Sequence, residues 1–297
     1  MAEIKPNYDT KRKKLAEVIP LAAPFTVYIE QTKYCNFKCF YCIHSTRDEA
    51  GGEFRALGHR EQHMDEAFFE KIIRELKEFP HDGIKRIVFS GLGEPLMNPH
   101  LPEYIRMVVE AGIAGRVEII TNGLLLTPEK SRALVTAGIT NINISVQGLD
   151  AAGYEETCGI RIDFERYLEN LKYLYEHKGN VQIYIKAIDA TLKTKENEEK
   201  FFEIFSPFAD RIYIEHLVVM QQQMDGLREI VDGTKNFYGE ELDVNRKVCA
   251  QSFYFMQIGC EGDIFPCPVP GLGKNLSMGN AKEHTLTEIW NGSRRRG

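Results

Sequence analysis

Between residues 25 and 214 short apolar runs alternate with amphipathic stretches, and this alternation leaves few folds open to the chain. The runs 25–29, 87–89, 117–120, 142–146, 181–188 and 212–214 read as strands. Between them, Phe68, Phe69, Ile72, Ile73, Leu76 and Phe79 recur at helical spacing and predict a helix ending near Pro80. Residues 101–112 predict another, Thr127 before Pro128 caps a third, Asp163 caps a fourth and 197–205 make a fifth. Strands that alternate with helices must pair in parallel. Right-handed crossovers over six such units curl the sheet into a partial (β/α)6 TIM-like barrel. Chemistry in such barrels sits where strands end, which here means 30–45, 90–96, 121–123, 145–148, 186–189 and 215–219. The pattern changes after about 225, where cysteines become dense and 253–258 with 263–266 read as a hairpin. The expected organisation is an extension over 1–24, the barrel over 25–230 and a small cysteine-rich domain over 231–297.

Composition narrows the class. Of the 297 residues, 43% are hydrophobic and 27% charged, the balance of a globular protein rather than a disordered one. The formal net charge of −6 argues against a nucleic-acid partner, which would require a basic stripe. No apolar run reaches the ~18 residues of a membrane span, and the N-terminus lacks a signal peptide's apolar core. The expectation is therefore a cytoplasmic protein with no membrane partner. Seven cysteines in a reducing compartment point to metal or redox chemistry, not to disulfides.

Three of them form the run Cys35-Asn-Phe-Lys-Cys39-Phe-Tyr-Cys42, a C-x3-C-x2-C spacing just after the first strand. Three thiolates this close can converge on one metal centre. Cubic iron–sulfur clusters take four ligands, so three cysteines leave one iron open to a substrate or cofactor. A structural zinc site is the alternative, with His44 as a fourth ligand.

The run and its position resemble the radical S-adenosylmethionine (radical SAM) superfamily. The resemblance implies a catalytic [4Fe-4S] cluster on Cys35, Cys39 and Cys42 whose open iron binds SAM. It also implies an external electron donor such as flavodoxin or ferredoxin, and a 5′-deoxyadenosyl radical that abstracts hydrogen from an unactivated C–H bond. Ser90-Gly91-Leu92-Gly93-Glu94-Pro95 resembles the family's Gly-Gly-Glu-Pro motif, with Leu92 in place of the first glycine. The glycines allow close backbone approach, and Glu94 is expected to help hold the ammonium of the methionine moiety. By the same resemblance, Thr121 and Asn122 face hydroxyl and carboxylate groups of the cofactor, and Ser145 bonds its ribose. Lys186 pairs with its carboxylate, and Tyr41 lines the adenine.

The C-terminal cysteines are Cys249, Cys260 and Cys267. Cys249-x12-Gly262-x4-Cys267, followed by Met278-Gly279-Asn280 and Leu286-Thr287-Glu288-Ile289-Trp290, resembles the opening half of a SPASM domain, an auxiliary-cluster extension. A full domain continues with further cysteines, including C-x2-C pairs, and residues 268–297 hold none. One auxiliary cluster is expected, held by Cys249, Cys260 and Cys267 with a non-cysteine or exogenous fourth ligand. Cys158, near the barrel mouth, is a candidate hydrogen-atom donor, as is any one of Cys249, Cys260 and Cys267 that does not bind iron. Glu215 and His216 end the sixth strand and are candidates for substrate binding and proton relay.

These features predict an oxidoreductase acting on a small, polar, carbohydrate-like substrate, with an auxiliary cluster taking up the leftover electron. Redox-neutral epimerisation with a cysteine hydrogen donor is the first alternative. Maturation of a ribosomal peptide ranks lower, because the roughly thirty residues before Cys35 are too few for a leader-binding module. A non-catalytic iron–sulfur or zinc protein is the alternative from another class.

Overall fold

The computed structural model describes residues 2–7, 14–219, 227, 229, 231–243, 245 and 247–292. Ten strands run in chain order as β1 (Glu3–Ile4), β2 (Thr26–Ile29), β3 (Arg86–Phe89), β4 (Arg116–Thr121), β5 (Asn141–Ser145), β6 (Gln182–Ile188), β7 (Arg211–Glu215), β8 (Phe255–Ile258), β9 (Asp263–Phe265) and β10 (Gly279–Asn280). They form one sheet in the order β1-β7-β6-β5-β4-β3-β2-β8-β9-β10. Strands β2 to β7 are the six expected from sequence, and each pairs in parallel with its neighbour. Their apolar residues, among them Val27, Ile29, Ile87, Phe89, Ile119, Ile142, Ile144, Ile185 and Ile212, are fully buried. That is the signature of a parallel sheet covered on both faces.

The register brings the strand ends level. Ile29 pairs with Phe89 and Phe89 with Ile119. Ser145 pairs with Lys186, and Ile188 with Glu215. The opposite ends are closed by charge. Buried Glu118 meets the Arg86 guanidinium at 3.2 Å and that of Arg116 at 2.7 Å, which leaves the carboxyl ends free for chemistry.

Capping sets the helix starts. Asp65, Thr127 and Asp163 accept backbone N–H bonds from Phe68, Lys130 and Arg166 at the heads of helices Glu66–Leu76, Pro128–Thr136 and Phe164–His177. The first of these ends at Leu76, short of the expected Pro80. Helix Ala151–Cys158 has no counterpart in the periodicity reading. Its sequence is weakly amphipathic and contains Gly153, which packs on Gly148 so closely that a Cβ on Gly148 would lie 2.7 Å from Tyr154 N.

The C-terminal segment extends the same sheet. β8 lies parallel to β2, with Ile29 opposite Ile258, and β8 and β9 form the expected antiparallel hairpin. The expected boundary at 230 falls outside the described residues. Helix Leu286–Asn291, started by a Thr285–Glu288 capping box, docks on helix Glu66–Leu76, where Leu286 N–H donates to Glu75 Oε2 at 3.0 Å. Trp290 is wholly buried and its indole N–H donates to the Leu21 carbonyl at 3.0 Å. Trp290→Ala removes this anchor and should destabilise the fold by about 3–5 kcal/mol, read as a lower chemical-denaturation midpoint.

Candidate active site

The cysteine run occupies the loop after β2 and is tied down from two sides. Arg47 Nη1 donates to the carbonyls of Cys35 at 2.7 Å and Phe37 at 3.0 Å. From the other side, Lys38 and Phe40 N–H groups donate to the carbonyls of Cys158 and Thr157, both at 3.0 Å, bracketing Cys39 with the end of helix Ala151–Cys158. The Cys158 thiol is buried, touches Cys39 and donates to the Tyr154 carbonyl at 2.9 Å. Burial pushes the Cys42 thiol up to about 12 and the Cys35 thiol higher still, with each neighbouring thiolate adding to the cost. Three such thiols ionise together only around a compensating cation.

Among the described residues, the one trio of His, Cys, Asp or Glu ligand atoms within 4.8 Å of each other is Glu66, His100 and Glu103, on the surface. Three cysteine thiols on one short loop are the donor set of a cubic iron–sulfur cluster with one iron left open.

The glycine-rich turn lies directly on the segment that leads into the cysteines. A Cβ on Gly93 would stand 2.4 Å from the Thr32 carbonyl oxygen, so only glycine permits this approach. Glu94 N–H donates to the Tyr34 carbonyl at 2.8 Å. The buried Glu94 carboxylate accepts from Thr121 Oγ1 at 2.6 Å, from Asn122 N–H at 2.7 Å and from Leu96 N–H at 3.0 Å. It joins the ends of β3 and β4, a role that the reading of Glu94 as an ammonium ligand does not contain. Asn122 continues the network to Asn36 Oδ1 at 2.7 Å, inside the cysteine run.

A cavity of about 220 Å3 opens at the carboxyl ends of β5 to β7. Tyr41, Cys42, Ser145, Lys186, Glu215 and His216 all line it. Five of these were site candidates from the strand-end rule or the resemblance, and Cys42 belongs to the cysteine run. Lys186 Nζ meets Glu215 Oε2 at 2.5 Å, and Tyr184 OH donates to Glu215 Oε1 at 3.1 Å. The lysine expected to pair with the cofactor thus has a protein partner. His216 Nδ1 faces Asp189 Oδ2 at 2.5 Å, and its Nε2 faces the Asp232 carbonyl at 3.0 Å. Burial works against charging this imidazole, but the Asp232 carbonyl and the Asp189 carboxylate prevail and raise its pKa above 6.5. Tyr41 OH donates to Gln147 Oε1. Sequence reasoning missed Tyr184 and Arg47, and held Gln147 and Asp189 only as members of the strand-end ranges 145–148 and 186–189. Asp189 directly follows β6 and was open to the strand-end rule, whereas Arg47 carries no local signal.

The C-terminal cysteine trio divides. Cys249 is exposed and lies close enough to Cys267 that its thiolate would raise that thiol's pKa. Cys260 is buried at the β8–β9 turn, its thiol donates to the Glu30 carbonyl at 2.8 Å, and the groups bearing on it are Glu30, Lys33 and Glu261. The trio is thus unevenly placed: the hairpin turns Cys260 into the core, while Cys249 and Cys267 lie near each other outside it. Cys260→Ser should leave the iron content of anaerobically reconstituted protein unchanged. Cys35→Ala, Cys39→Ala and Cys42→Ala should each remove about four irons per chain.

The sequence profile of the Radical SAM superfamily matches residues 29–206, and that of SPASM, an iron-sulfur cluster-binding domain, matches 249–296. The chain is 25% identical to the tungsten-containing aldehyde ferredoxin oxidoreductase cofactor-modifying protein of Pyrococcus furiosus, over 90% of its own length and 81% of that protein's. It is 25% identical to a PqqA peptide cyclase of Streptomyces rochei, over 92% and 77% of the two chains. The crystal structure of BtrN in complex with AdoMet and 2-DOIA superposes with a TM-score of 0.54 at 19% identity, covering 92% of this chain and 84% of that one. With the cysteine loop, the glycine turn and the strand-end cavity in place, the profile match settles the family: the chain is a radical SAM enzyme with a C-terminal SPASM region, and so uses a [4Fe-4S] cluster, SAM and auxiliary iron–sulfur chemistry.

Proposed function

We propose that the enzyme takes a hydrogen atom from a carbon bearing oxygen or nitrogen in a small polar substrate, and completes a two-electron oxidation. The carrying observation is that Cys42 and the polar groups Lys186, Glu215 and His216 line one cavity. When bound, the catalytic cluster and SAM supply the hydrogen-abstracting radical, and an auxiliary cluster supplies an electron acceptor. Both Glu215 oxygens are engaged by Lys186 and Tyr184, so the pair presents the remaining ammonium N–H donors of Lys186 to a substrate oxygen. The apolar side formed by Val146, Ile188 and Leu217 keeps water from that contact. His216, oriented by Asp189 at Nδ1, is the proton acceptor once its Nε2 leaves the Asp232 carbonyl for the substrate.

A second reading has its own support. Relatives named PqqA peptide cyclase align over nearly the whole chain, and the cavity's Val218, Leu227 and Phe237 suit the apolar part of a peptide side chain.

Turnover in D2O separates the outcomes. With aminocyclitols and sugars as probes, a product lighter by two hydrogens supports oxidation. Deuterium fixed at carbon with no mass loss supports an epimerase using Cys158 or Cys249 as hydrogen donor. Stimulation of 5′-deoxyadenosine release by peptides alone supports peptide maturation. The proton acceptor makes a further prediction. His216 must be neutral to accept a proton, so the rate should rise with pH through a pKa above 6.5. Asp189→Asn removes the charge that favours the imidazolium and should move that ascending limb to lower pH. A limb that stays in place contradicts the role.

A further inference from the structure

The end of β2 carries a glutamate that the motifs leave unused. Glu30 is 4% exposed and stands where three parts of the chain meet. Its Oε2 accepts the Leu92 N–H at 2.8 Å, within the glycine turn. Its side chain also fills the space over Gly91, where a Cβ would lie 2.5 Å from Glu30 Cγ. The other face of the carboxylate looks toward the C-terminal hairpin. Glu30 Oε1 lies 3.8 Å from the position of a Cβ on Gly259, and the backbone carbonyl of Glu30 accepts the Cys260 thiol. Lys33 Nζ stands 3.8 Å from Glu30 Oε1 and 3.5 Å from Glu261 Oε2. Glu261 is held in turn by Lys274 at 3.2 Å and Gln62 at 2.9 Å.

Packing alone does not call for this arrangement. A buried carboxylate is strongly disfavoured without partners, and apolar residues of similar volume often serve stability as well as a buried ion pair does. A carboxyl acceptor at this point does something that a leucine cannot: it fixes a backbone N–H of the glycine turn. The same group lies five residues before Cys35, on the segment that Gly93 touches.

We propose that Glu30 is a positioning residue for SAM: it sets the height of the 91–93 turn over the cysteine loop, and through Lys33 and Glu261 it makes that height depend on docking of the C-terminal hairpin. The inference rests on family membership and on no particular substrate or reaction, so it stands or falls apart from the proposed oxidation.

The test measures SAM binding to the anaerobically reconstituted full chain by equilibrium dialysis with labelled SAM, with iron content and thermal unfolding followed in parallel. Loss of a hydrogen bond to a carboxyl acceptor should weaken SAM binding about tenfold in Glu30→Ala, with iron content unchanged. Glu30→Gln keeps an acceptor for the Leu92 N–H and should recover affinity to within about threefold of wild type. Glu261→Gln leaves Glu30 and the turn in place and should still weaken binding about threefold, because it removes the charge that holds Lys33. A purely packing role would lower the unfolding temperature of Glu30→Ala while leaving its SAM affinity at the wild-type value, and that result overturns the proposal. If Glu30→Ala does not fold, wild-type SAM affinity in Glu261→Gln overturns it instead.

Discussion

The site depends first on one close contact, the glycine turn after β3 lying on the segment between β2 and the cysteine run. Gly91 sits under Glu30, and Gly93 sits against the Thr32 and Tyr34 carbonyls. The parallel register places Ile29 beside Phe89, so both loops leave the sheet at the same level and must share the same space. Side chains at 91 and 93 would push them apart. Glycine lets the cysteine-bearing loop and the turn after β3 act as one rigid surface.

Around that contact the polar groups fall into two sets. Glu94, Thr121, Asn122 and Asn36 form a closed network in which each carboxylate oxygen has a donor. Asn36 Nδ2 has no hydrogen-bond partner among the described residues, but the bonds to Glu94 and Asn122 still tie β3, β4 and the cysteine loop together. The second set, Lys186–Glu215 and His216–Asp189, lines a cavity and retains unused N–H donors and a titratable imidazole. The first set ties the strand ends together and the second lines the cavity.

Most of the barrel was legible because its strands are apolar runs of the right length and its helices carry both a period and a cap. The six strands from 26 to 215 appear where the apolar pattern puts them, and Asp65, Thr127 and Asp163 cap helices as their residue types allow. Pairing across the chain was not legible. No local pattern says that β8 lies beside β2, or that β1 joins β7 from far away in sequence. Cys260 shows the consequence. In the sequence it is one of three spaced cysteines, yet pairing of β8 with β2 carries it to the Glu30 carbonyl, inside the core. Lys186 shows the same limit, since Glu215 becomes its partner only when β6 and β7 pair. The helix at Ala151–Cys158 was hidden because its packing relies on two glycines rather than on an apolar stripe.

The central claim is that Cys35, Cys39 and Cys42 hold a cluster on which SAM is cleaved to a hydrogen-abstracting radical. The most direct measurement is formation of 5′-deoxyadenosine and methionine from SAM by anaerobically reconstituted protein after reduction with dithionite. The account predicts that both products form in equal amounts with wild-type protein and that neither forms with Cys42→Ala. Protein carrying a full four-iron cluster that binds SAM but releases no 5′-deoxyadenosine under reduction, with or without candidate substrates, would contradict it.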